Sequence, residues 1–187
     1  TDTVETEIIV GGSINVNNQL ISQNKIIINK VTFEKDGWLV VYPDSTGIPD
    51  QKTIISEPIY VKAGTTENLA IKLVNSPSIY TRFDKVHVWI MLHTDDGVQG
   101  TFEYDNINGK DMPIVDEDGK IISKKIILTP PYITAENQKI NGSVEVTVQT
   151  AVAGWLVAYK TTTGNDRIRI IGKTQVEAGF KGKIRFN

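Results

Sequence analysis

The chain has 187 residues, a formal net charge of −2 with both signs interspersed, and no cysteine. That balance gives neither nucleic acid nor an anionic membrane a basic face to bind. The missing thiols exclude disulfides, thiolate metal sites and cysteine nucleophiles, and no run of 18 apolar residues is available to span a bilayer.

Apolar segments are four to eight residues long, rich in Val, Ile, Tyr and Trp, and bounded by Gly, Asn, Asp or Pro. This is strand grammar, and no window carries a helical period. Residues 2–10 predict a strand without a hairpin partner, with Val4, Thr6, Ile8 and Val10 on one face and Glu5, Glu7 and Ile9 on the other. It is joined to the rest by the flexible pair Gly11-Gly12. Strands follow at 13–17, 25–33 and 38–42, then a loop over 43–53 with Pro43, Gly47 and Pro49, strands near 54–61, and a strand at 68–74. Residues 75–84 read as loop. Residues 85–93 alternate Val86, Val88, Ile90 and Leu92 with His87, Trp89, Met91 and His93. A turn at Asp95-Asp96-Gly97 leads to a strand at 100–105, residues 106–113 read as polar loop, and 114–128 read as a hairpin around Asp116-Glu117-Asp118-Gly119. After Pro130-Pro131, a stiff junction, strands are predicted near 132–135, 143–149, 155–160, 167–172, 174–177 and 181–186.

The chain repeats itself. Gly37-Trp38-Leu39-Val40-Val41-Tyr42 returns as Gly154-Trp155-Leu156-Val157-Ala158-Tyr159, Thr46-Gly47 as Thr163-Gly164, Val61-Lys62-Ala63-Gly64 as Val176-Glu177-Ala178-Gly179, and Asn18-Gln19 as Asn137-Gln138. The offsets of 119, 117 and 115 residues in chain order keep the copies in register apart from small loop deletions. The expected fold is all-β, two tandem immunoglobulin-like or cupredoxin-like β-sandwiches. Residues 1–12 form a tail, 13–129 a complete domain, and 130–187 a shorter related one. The second copy carries no counterpart of residues 80–128, so its sheet is expected to present an open edge and to be completed by a strand from elsewhere.

The Gly-Trp-Leu-Val-Val-Tyr strand, Val61-Lys62-Ala63-Gly64-Thr65, and the segment Trp89-Ile90-Met91-Leu92-His93 with Asp95, Gly97, Gly100, Thr101, Phe102, Glu103 and Tyr104 carry a resemblance. Over roughly residues 14–128 the chain resembles a family of small β-domains of unassigned function, found singly and in tandem in exported archaeal surface proteins. The resemblance implies a fold type and a surface location rather than an activity. The chain begins at Thr1 without a Met or a charged-then-apolar leader, so a leader has either been cleaved or left out of the sequence; the resemblance implies an extracellular or cell-surface protein. Isoleucine-rich, cysteine-free composition, with 26 Ile and 2 Met, points toward a thermophile.

Candidate sites each compete with an ordinary structural role. His87, His93 and Met91 are copper-ligand types on one strand face. A strand places residues six apart roughly 20 Å from each other, however, so one metal cannot join both histidines. Asp95, Asp96, Glu103 and Asp105 around one turn, and Asp116 and Asp118 on another, are candidate calcium ligands, with ordinary turn chemistry as the rival. No other cofactor is called for. Asn141-Gly142-Ser143 is a glycosylation sequon. Trp38 and Trp155 read as core anchors, with sugar stacking as the rival. Nothing marks a catalytic nucleophile or triad, and no enzyme activity is expected.

An unpaired strand and an incomplete sheet together suggest donor-strand complementation, against the rivals that the tail is a disordered terminus or pairs within its own first domain and that the missing strands lie beyond Asn187. The assembly strand is Val4, Thr6, Ile8, Ile9 and Val10. The acceptor groove is Val146, Val148, Leu156, Ile168 and Ile170. The partner is another copy of the chain, and a head-to-tail contact that does not close grows into a filament. Other surface-layer proteins or glycans are secondary partners. A monomeric envelope module binding calcium or a glycan is the alternative.

Overall fold

The computed structural model describes residues 11–74, 85–138, 142–160 and 169–187. Among them it is all-β, with 14 strands and no helix. The chain divides into two compact units whose main boundary falls between Thr129 and Pro130.

The first unit has two sheets. One orders β1 (Gly12–Asn15), β3 (Lys25–Phe33) and β7 (Gly64–Lys72). The other orders β2 (Gln19–Leu20), β9 (Ser123–Thr129), β8 (Val86–Thr94), β4 (Gly37–Ser45) and β5 (Ile48–Pro49), with β6 (Ile59–Val61) also on β4. β3 alternates as a strand with one wet face should: Ile26 and Ile28 are buried while Lys25 and Ile27 are exposed. β4 does not alternate. Trp38 through Tyr42 are all buried, because β4 lies between β6 and β8 and is covered on both faces. Gly12 is a glycine for a local reason: at φ 142° a Cβ there would meet the carbonyl oxygen of Thr32 at 2.5 Å and Leu92 at 2.7 Å.

The second unit is smaller. β10 (Tyr132–Thr134), β11 (Val144–Gln149) and β14 (Lys181–Phe186) form one sheet, and β12 (Gly154–Lys160) with β13 (Arg169–Val176) form the other. Val148, Leu156, Val176 and Phe186 make its core. A Cβ on Gly172 would stand 2.5 Å from the Phe186 ring, so a side chain there would displace the phenylalanine.

Three sequence expectations change. Residues 43–53 are not all loop, since β4 runs on through Pro43 to Ser45 and turns at Thr46-Gly47 into β5. Residues 100–105 alternate like a strand but form none; carboxylates take up backbone amides there, as described below. The two strands expected at 167–172 and 174–177 are one, β13, which passes Gly172 and absorbs an irregularity opposite Ala158 and Tyr159.

Candidate functional site: a strand edge with one neighbour

The internal repeat is structural down to individual pairings. In the first unit Gly37 lies opposite Val61, Trp38 opposite Tyr60 and Leu39 opposite Ile59. In the second, Gly154 lies opposite Val176, Trp155 opposite Gln175 and Leu156 opposite Thr174. β12 therefore corresponds to β4, and β13 to β6, in the same register. A second signature agrees. The Gln19 carboxamide clasps the backbone N–H and C=O of Ile27 at 2.8 and 3.0 Å, and the Gln138 carboxamide clasps those of Glu145 at 2.9 and 2.8 Å.

The correspondence stops at the other edge. β4 is paired there with β8, from Gly37 opposite Thr94 to Pro43 opposite Val88. Among the described residues β12 has no neighbour on that side.

The missing neighbour changes the environment of every repeated aromatic residue. Trp38 is 7% exposed, with its ring 5.1 Å from Tyr60 and 5.5 Å from Phe102 and its indole N–H on Asp95 Oδ1 at 3.1 Å. Trp155 is 63% exposed, with the Lys173 ammonium 5.5 Å from its ring as its cation–π partner. Tyr42 is wholly buried, whereas Tyr159 is 54% exposed. The core-anchor expectation thus holds for Trp38 and fails for Trp155: Met91, Phe102 and Tyr104 cluster with Trp38, and among the described residues no such side chains stand over Trp155.

The acceptor residues expected from sequence also need revision. Val148 and Leu156 are already buried in the unit's own core, and Val146 packs against that core, so none of the three is open apolar surface. Ile170 is 55% exposed, and Ile168 lies outside the described residues. The apolar surface left open is instead Trp155 and Tyr159 on β12, Ile170 and Ile171 on its paired neighbour β13, Val152 just before β12, and Ile133 on β10. The assembly strand Val4, Thr6, Ile8, Ile9 and Val10 and the sequon residue Asn141 lie outside the described residues as well. What sequence reading missed here was strand parity: Trp155, Val157 and Tyr159 share one face, and the equivalent face of Trp38, Val40 and Tyr42 in the first unit is covered by Met91 and Tyr104.

Charge is not as evenly interspersed as the total suggests. Residues 1–129 carry 12 Lys and Arg against 18 Asp and Glu, whereas residues 130–187 carry 8 against 4. On β12 and its paired neighbour β13 the exposed cations include Lys160, Arg169 and Lys173.

The histidines and acids of the first unit have structural employment. His93 is wholly buried. Its Nδ1 lies 2.7 Å from the carbonyl oxygen of Asp111, which can only accept, so Nδ1 carries the proton and Nε2 accepts from the Tyr42 hydroxyl at 3.0 Å. Burial pushes the His93 imidazole down to about 4, against a partial opposing effect of the Asp111 carbonyl. His87 is exposed.

Asp111, which sequence reading left in a polar loop, is wholly buried and accepts the backbone N–H groups of Asp96 and Glu103. Asp95 accepts the Gly100 N–H as well as the Trp38 indole. Glu103 is held low by the Lys110 ammonium and then by the Val98 N–H. Asp105 is held low by the N–H groups of Asn108 and Ile107. Asp116 accepts the amides of Asp118 and Lys120. Among the described residues no three His, Asp or Glu groups converge as a metal site would require, and Asp95, Glu103, Asp105, Asp111 and Asp116 take up loop backbone N–H groups.

A family model described as Domain of unknown function (DUF7282) matches residues 12–129. No curated protein matches the chain. Among solved structures the chain is similar to CBD12 from CALX1.2, at 8% identity and a TM-score of 0.32, covering 95% of this chain and 74% of that one. It is also similar to native alpha-2-macroglobulin from Escherichia coli spanning domains NIE-MG1, at 8% identity and a TM-score of 0.26, covering 96% and 88%. Superpositions this loose carry no weight for function.

Proposed function

We propose a role for a chain that belongs to the DUF7282 family: it is an extracellular structural subunit of an archaeal surface filament, pilus-like fibre or tube. Subunits assemble head to tail as the N-terminal tail of one copy adds a strand to the second unit of the next. The observation that carries this reading is the β12 edge, which matches β4 pairing for pairing on one side and has no described neighbour where β4 has β8. An exposed strand edge beside exposed aromatic side chains is an aggregation template that natural proteins cover. Strand addition covers it with backbone hydrogen bonds for affinity and alternate side chains for specificity. The excess of acidic residues in the first 129 positions and of basic residues in the rest favours contact between unlike units of successive copies over contact between like ones.

Negative-stain electron microscopy of the full chain beside a version lacking residues 1–10, at matched concentration, tests this. Filaments that vanish on truncation support the assembly role, and two indistinguishable monomers would sink it.

The exposure of Trp155 and Tyr159 also favours a second reading, a monomeric envelope module that stacks a glycan on these rings. In that case Trp155 fluorescence responds to oligosaccharide and is indifferent to the tail.

A further inference from the structure

The first unit specifies how a strand must lie on the second. In β8 the run Ile90-Met91-Leu92 is wholly buried, with Leu92 opposite Leu39, Met91 opposite Val40 and Ile90 opposite Val41. Its counterpart positions on β12 are Leu156, Val157 and Ala158. An incoming strand therefore needs three successive apolar residues, antiparallel to β12. Its first and third must point into the core beside Leu156 and Ala158, and its second must lie over the Trp155, Val157 and Tyr159 face. The tail contains one such run, Ile8-Ile9-Val10.

What flanks the run also fits. The position after it, held by His93 opposite Trp38 in the first unit, falls to Gly11, which is anchored in its own first unit by its N–H on Glu34 Oε2 at 3.1 Å and has φ 76°, so the ladder ends there. Gly12 follows at φ 142°, so the donor backbone turns away at the point where its own β1 begins. The position before it falls to Glu7, opposite Tyr159, on the face where Lys173 stands and close to Lys160 and Arg169 at the end of the strand pair.

We infer that Ile8-Ile9-Val10 of a second copy of this chain docks on β12 in a single register, Val10 opposite Leu156, Ile9 opposite Val157 and Ile8 opposite Ala158. This rests on the assembly reading above and fixes its site and orientation. The occupant is set by length, pattern and charge together. The run is preceded by Glu7 and Glu5 and meets a strand pair whose exposed charges include Lys160, Arg169 and Lys173. Ala158 stands where the first unit has Val41, and the space it leaves suits a β-branched Ile8.

The chain's lack of cysteine makes the register directly measurable by mixing full-length single-cysteine variants and oxidising them. A disulfide needs Cα atoms within about 7 Å, and a shift of two residues moves a partner roughly 7 Å along the strand. Ile9→Cys mixed with Val157→Cys is expected to give a cross-linked dimer at least about fivefold more abundant than Ile9→Cys with Trp155→Cys or Tyr159→Cys. Ile8→Cys with Ala158→Cys tests the same register from the core-facing side and keeps the test intact if Val157→Cys fails to fold. Dominant cross-links at Trp155 or Tyr159, or assembly without any cross-link at these pairs, overturn the register while leaving strand addition standing. Mixtures that scatter light as monomers and form no cross-link overturn both.

Discussion

At the scale of single residues, His93 and Asp111 are buried polar groups of the first unit whose partners are backbone groups and the Tyr42 hydroxyl. The unfolded imidazole of His93 takes a proton below about 6.5, the folded one only below about 4. Acid therefore favours the unfolded chain across that window, and stability present above pH 6.5 falls by roughly 3 kcal/mol as pH drops to 4. Urea denaturation at stepped pH checks this, and His93→Gln is expected to flatten the profile between those limits. Asp36, held down to about 2 first by Lys62, then by the Ala63 amide and Tyr60, adds acid sensitivity only at lower pH, where it is finally protonated. Asp111→Ala strips two backbone N–H groups of their acceptor, those of Asp96 and Glu103. Unsatisfied amides cost about 1–3 kcal/mol each when buried, so a loss of roughly 3 kcal/mol or more is expected in thermal or urea melts. Asp111→Asn, which keeps one acceptor oxygen, should recover part of it.

At the scale of elements, the repeated tryptophans separate two consequences of one sequence motif. Trp38→Ala opens a core cavity beside Tyr60 and Phe102 and is expected to cost about 3–5 kcal/mol. Trp155→Ala touches a ring already 63% exposed and should change the stability of the isolated chain by well under 1 kcal/mol while weakening assembly. In a Trp38→Phe, Trp89→Phe background, emission from Trp155 should shift to the blue and lose acrylamide quenching as subunits associate; emission that stays red and quenchable in formed filaments would place the contact elsewhere.

The all-β class and the repeat were legible in the sequence because strand period and turn residues are local properties. A β12 edge without a neighbour among the described residues was expected too, since residues 130–187 contain no segment like Trp89 to His93. Its exposed face was not: both faces of β12 are apolar, Leu156 and Ala158 against Trp155, Val157 and Tyr159, so alternation alone does not say which one is covered. Residues 101–105 misled for a related reason. Phe102 and Tyr104 do turn inward against Thr101, Glu103 and Asp105 outward, but amides such as those of Glu103 and Asp96 go to the Asp111 carboxylate instead of a neighbouring strand. Asp111 itself gave no signal, because an aspartate near a glycine looks the same whether it caps a surface turn or anchors a buried loop.

At the scale of the whole molecule, assembly of the proposed kind should depend on ionic strength, because the charge is uneven. With 18 acids against 12 bases in the first 129 residues and the reverse bias in the remainder, light-scattering growth rates should fall several-fold between about 20 and 300 mM salt as the screening length shrinks below about 10 Å. A rate indifferent to salt would assign docking to the apolar run alone. The order β2-β9-β8-β4 in the first unit carries a last consequence. There β8 is itself flanked by β9, and Asn18 receives the Ile127 N–H of β9 at 2.7 Å. A single strand donated as proposed would take the place of β8 and leave the flank of β9 unclaimed, beside Asn137. Each completed joint would then carry a fresh ribbon edge along the fibre, its stickiness curbed by the carboxylates of Glu5 and Glu7 acting as gatekeepers. Neutralising both, as Glu5→Gln with Glu7→Gln, should turn separate fibres into laterally fused sheets.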